Sequence, residues 1–168
     1  MARPTGADSI KDGRGVAIAD YNGDGRLDLV INNNNAAPTV YLNNLKRVGK
    51  CIEMKLVGTR SNRDAIGARV RLAVGGKTMT RLVEAGSGYA SEAMLPVHFG
   101  LGSAARIDSA EITWPSGLTQ RIEGSRLEPF IDRMARIEEG SWRIDEAGAS
   151  HATARATAST HQANRGRT

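Results

Sequence analysis

One cysteine in 168 residues, Cys51, cannot close an internal disulfide, and a metal centre built from several thiolates is excluded. Aromatic residues make up only 4% of the chain, so a core must rest on Val, Ile, Leu and Ala. No apolar run approaches the ~20 residues of a membrane-spanning helix, and no membrane span is expected. The opening stretch, MARPTGADSI, has no apolar segment of the kind a signal peptide needs. Basic residues are not gathered into one patch: net charge is −1 over residues 1–45, +3 over 46–146 and +3 over 147–168. Nucleic-acid binding calls for clustered Lys and Arg with stacking aromatics, so no nucleic-acid partner is expected. Signatures of catalysis are missing too. There is no G-x-S-x-G elbow, P-loop or dinucleotide fingerprint. Ser91, His98 and Asp108 make a triad only on paper. Glu138 and Glu139 are adjacent, so in a strand they point to opposite faces, which does not suit a glycosidase pair. The expectation is a protein that is not an enzyme.

What is abundant is glycine, 19 residues, and apolar alternation with a period of two. Ile52, Met54 and Leu56 alternate with Glu53 and Lys55. Ala68, Val70, Leu72 and Val74 alternate with Arg69 and Arg71, and Gly75-Gly76 then signals a tight hairpin. Ala110, Ile112 and Trp114 alternate with Glu111 and Thr113 before a Pro115-Ser116-Gly117 turn. Strands are also expected at 16–19, 27–31 and 39–42. Residues 125–140 admit a helix after Pro129 or a final strand, RMARIEE, and the strand completes a sandwich better. Cys51 fits a small buried hydrophobe in a strand. His98, between Val97 and Phe99, fits a strand residue that faces out or is hydrogen-bonded. The pattern predicts an all-β protein: a hairpin or blade fragment over 1–45, an antiparallel β-sandwich over 46–140 and a disordered tail over 141–168. His151 and His161 fall in that tail without ligand partners at metal spacing.

The stretch DYNGDGRLD, residues 20–28, carries the chemistry. Oxygen-bearing side chains fall at Asp20, Asn22, Asp24 and Asp28, with Gly25 for a sharp bend and the Arg26 carbonyl as a further donor. Calcium takes six to eight oxygen donors, and this spacing converges oxygens on one point. A divalent cation would relieve the repulsion among the carboxylates. An EF-hand is ruled out because its twelfth position is Ile31 here rather than Glu, and strands rather than helices flank the loop. Without a cation the same residues make a solvated turn of a hairpin, since Asn and Asp favour turns.

The run GRGVAIADYNGDGRLDLVI, 13–31, resembles an FG-GAP (VCBS) repeat, one blade of an integrin-α-like β-propeller. The resemblance implies a Ca²⁺ held within the blade by Asp20, Asn22, Asp24, the Arg26 carbonyl and Asp28. A second resemblance covers 51–124. KLVGTRSNRDAIGARV, GSGYASE, VHFGLG and ITWPSG follow the order of an ASPIC/UnbV domain, the arrangement found in relatives of cartilage acidic protein. Glu92 departs from that pattern, in which Gln is expected. Asn62, Arg63 and Asp64 are expected to shape a loop, and Tyr89 and Ser91 to lie in a loop packed on the sandwich.

Together these features imply a calcium-stabilised interaction or adhesion module, extracellular or periplasmic, with a protein or glycan partner and further blades upstream. Two alternatives stay open. One is a non-catalytic accessory domain of a surface enzyme or transport system. The other is a truncated reading frame without independent function.

Overall fold

A computed structural model describes residues 6–46, 49–86, 88, 89, 91, 92 and 95–147. The fold is all-β, as the alternation predicts. Three antiparallel strands form the first sheet: β1 (Gly13–Ala19), β2 (Asp28–Asn33) and β3 (Ala36–Tyr41), in that spatial order. Val16 faces Ile31, Ile18 faces Leu29, and Ala19 faces Asp28, so the aspartate-rich segment is the β1–β2 hairpin loop. The third strand begins three residues earlier than its expected start at Thr39. The turn is confined to Asn34 and Asn35, and Asn35 adopts a φ of 50° that Asn tolerates.

Two four-stranded sheets make the sandwich. One runs β11-β10-β4-β7, from β4 (Lys50–Val57), β7 (Val97–Gly102), β10 (Met134–Glu138) and β11 (Ile144–Glu146). The other runs β6-β5-β8-β9, from β5 (Arg69–Val74), β6 (Lys77–Leu82), β8 (Ser109–Thr113) and β9 (Thr119–Glu123). The alternation read from the sequence sets the inner faces. Ile52, Met54, Leu56, Phe99 and Ile137 from one sheet meet Val70, Leu72, Ala110, Ile112 and Ile122 from the other, all buried in one cluster. Trp114 closes that core, and its indole N–H donates to Gln120 Oε1 at 3.1 Å, so the ring is buried without an orphaned donor.

One pairing departs from the antiparallel pattern. β10 lies parallel to β4, with Met134 opposite Glu53 and Ile137 opposite Leu56. Residues 124–130 settle the ambiguity before it: two single-turn 3₁₀ segments, Gly124–Arg126 and Glu128–Phe130, precede the strand. Beyond residue 140, β11 pairs with β10, and the rest of the expected tail, from 148, lies outside the described residues. His151 and His161 lie there as well. Among the described residues no helix is long and apolar enough to cross a membrane.

Candidate metal site

The β1–β2 loop is built by its own backbone. Asp20 accepts from the Asp24 N–H at 3.0 Å and, through its other oxygen, from the Gly25 N–H at 2.7 Å. Asn22 Oδ1 accepts from the Asp24 N–H at 3.1 Å, while its amide donates to Asp24 Oδ2 at 2.8 Å. Asp24 Oδ1 takes the Arg26 N–H at 2.9 Å, and Oδ2 takes the Arg26 guanidinium. Gly23 and Gly25 make the bend at φ values of 70° and 81°, which would strain residues with a Cβ.

Asp28 differs from the other three. It is 1% exposed, and its two oxygens accept from the Tyr21 N–H at 3.0 Å and the Asn43 N–H at 2.7 Å. It ties the loop to the end of β3. The Arg26 Nε donates to the Asn43 carbonyl, so Arg26 strengthens the same tie. Carboxylate repulsion in the loop is thus offset by five backbone N–H groups and one guanidinium.

These residues can be tested against a hard cation. All five expected donors lie on one short loop, and every one is an oxygen, as calcium and magnesium prefer. A carboxylate oxygen that accepts one N–H keeps a second lone pair. Against this, among the described residues no group of three or more His, Cys, Asp and Glu side chains stands ready to hold a metal ion. A local competitor is present as well. The Arg26 guanidinium occupies Asp24 Oδ2, and cation and guanidinium compete for that oxygen. In element type the donor set suits a hard cation, but Asp20, Asp24 and Asp28 are not gathered into one cluster, and Asp28 gives both oxygens to the Tyr21 and Asn43 N–H groups.

Two sandwich residues reach the blade. His98 on β7 points away from the core and brings Nε2 to 3.2 Å from the Gly25 carbonyl. Ser91 Oγ accepts the Val16 N–H from β1 at 2.9 Å and donates to the Tyr89 carbonyl at 2.7 Å. The sequence predicts for His98 a strand residue that faces out or is hydrogen-bonded, and it is hydrogen-bonded. Asn62 shapes its loop as expected: its side chain accepts the Ile66 N–H at 2.8 Å and donates to the Ile66 carbonyl at 2.9 Å. Ser91, His98 and Asp108 make none of the mutual hydrogen bonds a triad requires; each bonds elsewhere.

Sequence reasoning missed Glu139. It follows β10 and is 4% exposed. Its Oε2 accepts the N–H groups of Thr59 at 2.9 Å, Arg60 at 2.8 Å and Ser61 at 2.8 Å. Its Oε1 accepts the hydroxyls of Ser61, at 3.0 Å, and Ser116. Burial alone would raise the carboxyl pKa, but the Ser116 hydroxyl and the Ser61, Arg60 and Thr59 N–H groups outweigh it and hold the group down at about 2. Cys51, at 5% exposure, is the buried small hydrophobe expected.

The geometry agrees with comparisons to known proteins. The FG-GAP repeat model matches residues 13–43, and the "ASPIC and UnbV" model matches residues 58–140. Cartilage acidic protein 1 of Xenopus tropicalis is 33% identical over 131 residues, 74% of this chain and 20% of that protein. Cartilage acidic protein 1 of Homo sapiens is 34% identical over 109 residues, 62% of this chain and 16% of that protein. The chain therefore spans about a fifth of the length of these relatives.

Proposed function

The chain joins an FG-GAP repeat to an ASPIC and UnbV domain, and from that premise we propose that it is a calcium-binding, non-catalytic interaction module of an extracellular or periplasmic protein. The observation that carries the proposal is the β1–β2 loop. Its side chains are oxygen donors held at fixed spacing by the loop's own N–H groups. Calcium would be held by Asp20, Asn22, Asp24, the Arg26 carbonyl and Asp28, and would cross-link the hairpin rather than react.

The non-catalytic part has support of its own. The most perturbed carboxylate, Glu139, is saturated by five donors and holds two loops together, which leaves it no lone pair suited to proton transfer. The extracellular part is supported by the name of the relatives, which refers to cartilage.

A partner for the blade follows from its surface. Val16, Ile18, Val40 and Leu42 are all more than 40% exposed. A groove of about 560 Å³ on the blade is lined by Leu27, Leu29, Tyr41, Leu42, Asn43 and Leu45. A single repeat cannot bury its apolar faces alone. Further blades of a longer parent protein would cover them, leaving a protein or glycan ligand to the outer surfaces.

The test is calorimetric titration of calcium into the wild type and Asp24→Ala. Saturable binding lost in Asp24→Ala is expected. Absence of binding in the wild type and in a longer protein with additional blades would refute the calcium assignment.

A further inference from the structure

We infer that the sandwich seats the aspartate-rich loop through His98, which makes His98 a positioning residue for Asp24 and, through it, Asn22. A carbonyl oxygen carries no proton, so in the contact between His98 and Gly25 the imidazole must donate. The proton therefore sits on Nε2, 3.2 Å from the Gly25 oxygen.

That carbonyl belongs to the peptide unit joining Gly25 and Arg26. The unit is planar and trans, because no cis peptide bond occurs among the described residues. Its C=O and N–H point in opposite directions. When His98 fixes the carbonyl, it aims the Arg26 N–H the other way, onto Asp24 Oδ1 at 2.9 Å. Asp24 in turn anchors the Asn22 amide at 2.8 Å. One imidazole on the second domain thus orients two of the loop's oxygen-bearing side chains without touching either.

Two further observations accompany this contact. Cys51 and Glu53 sit on the side of β4 that faces away from the core, as His98 does on β7. Both are nevertheless buried, at 5% and 8% exposure, and Glu53 is the cross-strand partner of His98. Ser91 provides a second attachment by accepting the Val16 N–H on β1. The stretches GSGYASE and VHFGLG, which the ASPIC and UnbV match contains, are the ones that carry these blade contacts.

The metal side of this inference rests on the calcium proposal, so the test has one arm with calcium and one without. Hydrogen exchange of the calcium-free protein is compared for wild type, His98→Leu and His98→Gln. Leu keeps the volume and removes the donor, whereas the Gln amide restores a donor at the reach of Nε2. The Gly25 and Arg26 amides should exchange about tenfold faster in His98→Leu and return to the wild-type rate in His98→Gln, while amides of β5 and β8 stay unchanged. Calcium affinity should fall about tenfold or more in His98→Leu, the usual size of an effect on outer-sphere support, and recover in His98→Gln. Unchanged loop exchange in His98→Leu overturns the inference. If the wild type binds no calcium but the exchange pattern holds, the calcium proposal fails and the positioning role stands. Imidazole NMR of the wild type guards against a variant that fails to fold. A proton found on Nδ1 alone overturns the inference, because Nε2 then has nothing to donate.

Discussion

Replacing Glu139 by Gln should remove a pH-dependent share of the stability. The carboxyl has a pKa of about 2 in the folded protein against 4.5 as the ordinary value. Each unit corresponds to about 1.4 kcal/mol, so the difference sets a ceiling of about 3 kcal/mol. Thr59, Arg60 and Ser116 lie at the surface, where water screens the site, which brings the expected value to about 2 kcal/mol. The sign follows from the direction of the shift. The folded pKa is depressed, so the contribution is complete above 4.5 and is lost as pH falls from 4.5 towards 2. Gln keeps the shape and one acceptor oxygen but never carries the charge. Urea unfolding of wild type and Glu139→Gln across this range measures the difference directly and cancels the titration of other carboxylates. The gap should be about 2 kcal/mol at pH 7 and close to zero at pH 2. A gap that does not change with pH, or one already absent at pH 7, would show that the five donors do not favour the charged form.

Two further outcomes are expected. A Cβ added at Gly124 would lie 1.7 Å from the Ile107 carbonyl oxygen and 2.4 Å from its carbon. Both are backbone atoms that cannot rotate aside, so Gly124→Ala should lose about 3 kcal/mol or more, read by thermal or urea unfolding. Arg26→Met frees Asp24 from its partly buried guanidinium partner and should tighten calcium binding at least about twofold, measured by the same calorimetry.

The sandwich was legible because its signal is local. In β5 and β8 every second residue is apolar, and those are the residues found in the core. The Gly75-Gly76 hairpin and the β1–β2 loop were legible for the same reason, since turn chemistry and oxygen spacing lie within a few residues. What the sequence hid is non-local. Glu139 reads as half of an acidic pair at the end of a strand, and nothing nearby announces donors 78 to 80 positions away. Glu53 reads as a solvent-facing strand position and is buried, because another part of the chain covers that face. His98 reads as a strand residue facing out, but its target, Gly25, lies 73 residues earlier and offers only a backbone carbonyl, which has no sequence identity. The donor set of the loop was visible; the guanidinium that now occupies Asp24 was not, since Arg26 entered only as a carbonyl.

The parallel pairing of β4 with β10 has a consequence for the order in which the chain acquires its structure. Glu53 and Met134 are 81 residues apart, and a parallel neighbour cannot be reached by a hairpin. Closing so long a loop costs about 2 kcal/mol more than closing one of about ten residues, since each doubling adds about 0.6. Contacts of this separation slow folding. During synthesis, β4, β5, β7, β8 and β9 all leave the ribosome before β10 exists. Until residues 134–138 arrive, one edge of β4 stands open and Ala135 and Ile137 are missing from the core. An open edge of this kind recruits other chains. Glu139 comes next, and with it the anchor for Thr59, Arg60, Ser61 and Ser116. The final few residues of the sandwich therefore act as its closing step, and a chain halted before them exposes an unfinished sheet.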